Sequence, residues 1–487
     1  MKIQKLLLPL LALLCAATIH AQPMAKRQPL LLASLFTDHM VLQRELPVPV
    51  WGTATPGATV TVTFDKLSDS TIADRDGNWL LRLPPLKAGG PFELVVVAGG
   101  ETRLLLHDVL VGDVWICSGQ SNMEFPVSAA RNAKKEIANA NYPTIRLFTV
   151  RHAVSLIPER AVNGQWVACT PETVAGFSAM SYFFARDLQP KIRVPIGLIQ
   201  TCWPGTVIEA WTEEAALHAE SEFAPILARI PPELGHTLFT PLHENTPSVL
   251  YNAMIHPLIP FAMRGVLWSQ GSANADRAYQ YRLLFPNLIR SWRQAWGEGD
   301  FSFLFVQLPN YMARRATPTD SAWAELREAQ AMAMALPNTG MAVTIDIGEA
   351  FNLHPKNKQD IGLRLARAAE AVAYHLPTVA SGPRYRAMKV EGQTIRLAFE
   401  SVGAGLVAKD NAKLKGFAIA GSDRQFLWAQ AKIDGESVVV WNDALQRPVA
   451  VRYAWADNPE CNFFNANGLP ASPFRTDDWP GLTINAR

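Results

Sequence analysis

Between residues 109 and 374, short apolar runs of strand length alternate with longer helical patterns. The runs fall at 111–117, 145–148, 195–200, 265–268, 303–306 and 341–345, and the helical patterns at 180–188, 279–296, 323–335 and 358–374. Strands buried on both faces read as near-continuous apolar segments, and parallel neighbours need crossover helices. The rhythm therefore predicts an α/β fold built on a doubly wound parallel sheet, an α/β/α sandwich over residues 109–378. On either side the pattern changes. Alternating runs at 48–51, 58–64, 79–83 and 92–97 are separated by turn residues (Thr55-Pro-Gly57, Asp74-Arg-Asp-Gly77, Ala98-Gly-Gly100). They predict a small antiparallel β-sandwich over 28–108. Pro47 and Pro49 restrict the first run to an edge strand. Alternation returns at 394–399, 417–420, 437–441 and 450–455, predicting a second β-sandwich-like, β-rich domain over 379–487. A chain of 487 residues is indeed too long for one core.

The first residues are basic, 6–18 are apolar, and Ile19-His-Ala21 suits cleavage. Residues 1–21 thus read as a secretory signal peptide, too short for a membrane span, and predict an exported protein, periplasmic or secreted. The net charge of +2 gives no electrostatic footprint for nucleic acid. Four cysteines remain after the leader (Cys117, Cys169, Cys202, Cys461), with no metal spacing, and buried free thiols are expected. There is no His-Glu-x-x-His, no Cys-x-x-Cys and no glycine-rich phosphate loop, so no metal or cofactor is expected.

The chemistry centres on Val111-Gly-Asp-Val-Trp-Ile-Cys-Ser-Gly-Gln-Ser-Asn-Met-Glu124. A strand stops at small and polar residues, leaving Ser121 on a turn at its carboxyl end, where open α/β sheets bind ligands. A sharp turn there exposes a hydroxyl and aims backbone N–H groups at a developing oxyanion. Taken alone, the pattern fits a plain polar turn better than a nucleophile. Among the ten histidines, His20 falls in the leader, and His39 and His107 in the first β-region. His152, His218, His236 and His243 lie in polar or irregular stretches, while His256 and His375 suit structural roles. His354 follows the run at 341–345 and precedes the last helical pattern, on the rim that holds Ser121. Two further segments end strands on that rim. Gly205 in Thr201-Cys-Trp-Pro-Gly-Thr206 lets a backbone N–H approach a ligand, and Asn274 in Trp268-Ser-Gln-Gly-Ser-Ala-Asn274 offers an amide donor.

Cys117-Ser-Gly-Gln-Ser-Asn-Met-Glu124 resembles the first block of SGNH hydrolases, and within them the sialate O-acetylesterases and related carbohydrate acetylesterases. His354-Pro-Lys-Asn-Lys-Gln359 is similar to the histidine block of that family. Leu35-Phe-Thr-Asp-His-Met-Val-Leu-Gln-Arg44, Tyr453-Ala-Trp-Ala-Asp-Asn-Pro459 and Gly468-Leu-Pro-Ala-Ser-Pro-Phe-Arg475 resemble its flanking modules. The resemblance implies an SGNH-type core with Ser121 as nucleophile and His354 as base. It also implies an oxyanion hole of the Ser121 N–H, Gly205 and Asn274, with Gln120 and Gln270 at the substrate.

Two positions depart from the family pattern. Ser272 stands where a glutamate is usual, and Asn352 where an aspartate usually precedes the histidine by two residues. Replacing the triad aspartate by asparagine in a serine protease costs about four orders of magnitude in rate. Three arrangements stay open: a Ser–His dyad with His354 oriented by Asn352 or a backbone carbonyl, a shifted carboxylate from Asp346 or Glu349, or a catalytically weak relative that binds acetylated sugar. The favoured expectation is an active esterase that removes O-acetyl groups from sialic acid, or otherwise from xylan or another plant glycan.

Overall fold

The computed structural model describes residues 28–99, 102–231 and 242–487. The expected leader and His236 lie outside the described residues.

The molecule is organised around one 18-residue strand, Thr102–Gly119. Its second half is the centre of a sheet whose order is Trp166–Cys169, Tyr142–Thr149, Ile196–Cys202, Thr102–Gly119, Gly265–Ser269, Ser302–Val306, Thr339–Ala342. Pairings from Tyr142–Thr149 to Thr339–Ala342 are parallel, and Trp166–Cys169 adds an antiparallel edge. Successive residues of the central strand alternate between two cores, as a pleated strand requires. Trp115 and Cys117 join Phe183 and Phe184 of the helix Ala179–Ile192 and Leu365 and Ala369 of the helix Lys358–Val372. Val114 and Ile116 face the opposite core, with Phe285, Leu288 and Trp292 of the helix Ala278–Trp296 and Leu326 of Ala322–Met332. Helices thus cover both faces of a parallel sheet.

The chain leaves Thr102–Gly119 toward one side of the sheet and Gly265–Ser269 toward the other. A crevice opens beyond the carboxyl ends where such connections diverge. Register makes those ends level: Gly119 pairs with Cys202 on one side and Ser269 on the other.

The first half of the long strand belongs to a different neighbourhood. It pairs with Gly89–Ala98 and Val41–Gln43, and Gly89–Ala98 with Thr59–Phe64. Side chains from these strands share a core with the separate sheet Leu31–Leu32, Val48–Thr53, Asn78–Leu83. The expected boundary at 108/109 therefore falls inside a continuous strand. The proline-bearing strand is also not an edge, because Val48–Thr53 lies between two partners. The reason is local. Leu31–Leu32 pairs only with Thr53 and Gly52, leaving that side open beside Pro49, where no N–H is available.

Toward the carboxyl end are two four-stranded antiparallel sheets, ordered Arg384–Glu391, Thr394–Glu400, Ser437–Trp441, Gln430–Asp434 and Phe426–Trp428, Phe417–Ala420, Ala450–Tyr453, Phe474–Arg475. Among the described residues the four cysteines are unpaired, with Cys117, Cys169 and Cys202 buried and Cys461 half-buried.

Candidate active site

Gly119 ends the central strand at φ +133°. A Cβ at this position would stand 2.2 Å from the Ser269 carbonyl oxygen, so only glycine lets the two strand ends meet. Beyond it the Gln120 N–H donates to Ser269 O at 2.9 Å, and the short helix Ser121–Glu124 begins. Ser121 is half-buried, at the start of that helix.

Gln120 and Gln270, expected at the substrate, are turned into the frame instead. Both are buried. The Gln120 Oε1 accepts from the Gly271 N–H at 3.0 Å, and its Nε2 donates to Ser272 Oγ at 2.5 Å. Ser272, in the family's glutamate position, thus helps to fix the residue before the serine. Gln270 donates to Thr206 O and Asn274 Oδ1 and accepts from Tyr281 OH at 2.9 Å.

Gly205 follows the neighbouring strand end at φ +75°, and an added Cβ would meet nothing within 4 Å. Its loop starts beside the serine turn, since the Trp203 N–H donates to Gly119 O at 3.1 Å. Asn274, in the 3-10 turn Ser272–Arg277 that follows the third strand end, is fully buried. Its Oδ1 accepts from the Ile208 N–H at 3.0 Å and from Gln270 at 2.7 Å, and its Nδ2 donates to Glu209 Oε2 at 2.9 Å. An asparagine amide has two donor hydrogens and two acceptor lone pairs. Three of the four are engaged, so the amide is held in one orientation with one N–H in reserve.

His354 lies on the loop after Thr339–Ala342. Asn122, next to Ser121, donates from Nδ2 to the carbonyl of Leu353, next to His354, at 3.1 Å. The Phe125 and His354 rings stack with centroids 6.4 Å apart. The serine turn and the histidine loop are therefore in direct contact. The His354 Nε2 is buried without a hydrogen-bond partner among the described residues. Burial, and then the nearby charge of Lys358, hold the imidazole below its ordinary range. It is the neutral form, able to accept a proton, that this environment favours.

Neither expected orienter reaches the ring. Asn352 accepts from the His354 N–H at 3.0 Å and donates to the His354 carbonyl at 2.9 Å, which ties the loop backbone. Asp346 is held by both terminal nitrogens of Arg364, at 2.6 and 2.8 Å, a bidentate pair that commits its carboxylate elsewhere. Glu349 accepts from the Lys356 N–H and from Asn352 Nδ2, which with the nearby lysine charges keeps it below the usual carboxylate range. Among the described residues no group of three or more His, Cys, Asp or Glu side chains could hold a metal ion.

The model of the family described as carbohydrate esterase, sialic acid-specific acetylesterase, matches residues 111–371. The sialate O-acetylesterase of Mus musculus is 33% identical over 510 residues, which span 91% of this chain and 93% of the mouse protein. That of Homo sapiens is 32% identical over 503 residues, spanning 93% and 94%. A solved carbohydrate acetylesterase from Xanthomonas citri shares 42% identity at a TM-score of 0.85, covering 92% of this chain and 100% of that one. The chain belongs to this family. It is a carbohydrate esterase.

Three residues around the candidate site of this carbohydrate esterase do not stand out in its sequence. Glu209, fully buried, accepts from Asn274, from Arg277 at 2.6 Å and from Arg229 at 2.5 Å. Its signal is a lone charge inside Val207-Ile-Glu-Ala-Trp211, which must find partners if that run is buried. Lys358, also fully buried, donates to Asn122 Oδ1 at 2.5 Å. His152 stacks on Trp203 at 4.2 Å and meets Glu124 at 3.2 Å, and that carboxylate raises the pKa of its imidazole.

Proposed function

We propose that this esterase removes O-acetyl groups from carbohydrate by a Ser121–His354 dyad on an SGNH-type core. His354 takes the Ser121 hydroxyl proton as Oγ attacks the acetyl carbonyl. The Ser121 and Gly205 N–H groups and the free Asn274 N–H receive the oxyanion. His354 then protonates the departing sugar oxygen; water, deprotonated in turn by His354, attacks the acyl-enzyme, and His354 returns that proton to Ser121 Oγ as acetate leaves. The observation carrying this reading is the level ending of three adjacent strands at Gly119, Cys202 and Ser269, with the histidine loop joined to the first through Asn122 and Leu353. The neutral imidazole and the oriented Asn274 amide add to it.

The substrate we favour is O-acetylated sialic acid, on the strength of the mouse and human relatives. Acetylated xylan or another plant glycan is the alternative, consistent with the bacterial carbohydrate acetylesterase. Export through the amino-terminal leader, and β-rich regions on either side of a catalytic unit, the first joined to it through the shared strand Thr102–Gly119, complete the reading. The test is acetate release by wild type and Ser121→Ala from O-acetylated sialic acid and acetylated xylan side by side. Release that disappears in the variant supports the mechanism and identifies the substrate class. Release that persists in Ser121→Ala removes Ser121 as nucleophile.

A further inference from the structure

Lys358 occupies a costly position. It is the first residue of the helix Lys358–Val372, where the helix dipole disfavours a cation, and its side chain is fully buried. Burial pulls the amine down to about 7, against the attraction of Glu349. A lysine held in this way, with no carboxylate among the described residues in hydrogen-bond contact, calls for a compensating role.

Its contacts are with the two halves of the site. The Nζ donates to Asn122 Oδ1 at 2.5 Å and lies 4.7 Å over the Phe125 ring. Asn122 in turn donates from its other end to Leu353 O, and Phe125 stacks on His354. With its oxygen fixed by the lysine, the Asn122 amide can only present Nδ2 to the histidine loop. One side chain thus sets the residue after Ser121, the residue before His354, and the ring against the imidazole. Of the charged groups in the segments that meet here, Glu349 on the histidine loop is near enough to attract the amine; Lys356 sits on that same loop, and Asp360 and Arg364 on the lysine's own helix.

Resting on the Ser121–His354 reading, we propose that Lys358 is a positioning residue of that pair: through Asn122 and Phe125 it clamps the serine turn to the histidine loop. The same placement lets its positive charge act on the imidazole. The sign is fixed. A nearby positive charge disfavours the imidazolium, so removing it makes His354 easier to protonate and moves the acid limb of kcat/KM to higher pH.

The experiment measures hydrolysis of 4-nitrophenyl acetate from pH 5 to 9 by wild type, Ser121→Ala, Lys358→Met and Lys358→Gln, with folding checked by circular dichroism. Lys358→Met is expected to lose about 10–100-fold in kcat/KM, because the clamp is gone. Its acid limb should rise by about half a pH unit or more. Lys358→Gln keeps a donor for Asn122 and so retains more activity, yet shows the same displacement; it carries the test if the methionine variant does not fold. A wild-type acid limb in either folded variant overturns the proposal, whatever the loss of rate. Hydrolysis that survives in Ser121→Ala instead overturns the parent mechanism.

Discussion

Replacing Glu209 by alanine tests how Asn274, the third donor of the proposed oxyanion hole, is held. The substitution removes hydrogen bonds to Asn274 at 2.9 Å, Arg277 at 2.6 Å and Arg229 at 2.5 Å. Removing one partner of a buried ion pair costs about 3–5 kcal/mol. Arg229 is 44% exposed and water screens its share, whereas Arg277 is 12% exposed and stays largely uncompensated. A loss near the lower end, about 3 kcal/mol, is therefore expected in urea unfolding. For catalysis, deleting an oxyanion donor outright costs about 10²–10³ in kcat. Here the amide remains but is free to turn, so a fall of about 10–100-fold is expected, with KM little changed. Glu209→Gln keeps an acceptor for Asn274 and should retain kcat within about threefold while still losing stability. The pH dependence follows from the same contacts. Burial works to raise the Glu209 carboxyl, but Arg277 and Arg229 outweigh it and hold it below 4.5. A depressed folded-state pKa stabilises above the unfolded value and ceases to do so as pH falls through the folded one. Glu209→Gln should accordingly narrow the stability gap to wild type below about pH 4.5. A folded Glu209→Ala enzyme with wild-type kcat refutes the claim that this carboxylate orients the Asn274 amide for catalysis.

Gly119→Ala should destabilise by about 3 kcal/mol or more, since both its positive φ and the Ser269 backbone at 2.2 Å oppose a side chain; thermal unfolding measures it. Asp346→Asn should cost about 2–3 kcal/mol by leaving the Arg364 charge without its counter-ion at a site where both side chains are 9% exposed. It should nevertheless keep kcat within about threefold. A thousandfold drop in kcat with the fold intact would instead make Asp346 the orienter of His354.

The parallel sheet was legible because its strands are buried on both faces, so stretches such as Gly265-Val-Leu-Trp268 and Phe303-Leu-Phe-Val306 carry almost no polar residues. The edge strand Trp166–Cys169, only four residues long, is too short to carry a periodic signal. Ser121, Gly205, Asn274 and His354 were placed by one rule, position at a strand's carboxyl end. Where their neighbours point was not accessible in this way. Asp346 is taken by an arginine two turns into the following helix, and Glu209 by arginines from two different segments. Such pairings depend on how helices settle across a sheet, which no local pattern records. Asn352 shows the same limit from close range: two residues from His354, it binds the backbone and leaves the ring alone.

The strand Thr102–Gly119 has a consequence for how the protein can be cut and how it unfolds. One length of backbone is hydrogen-bonded to Gly89–Ala98 near its start and to Ile196–Cys202 and Gly265–Ser269 near its end. Truncating the chain before it would leave half a strand with bare N–H and C=O groups, a template for aggregation. Loosening the amino-terminal sheet would likewise pull on the residues that lead into Ser121. The two regions should therefore melt as one cooperative unit, and the amino-terminal module cannot be exchanged like a bead on a string.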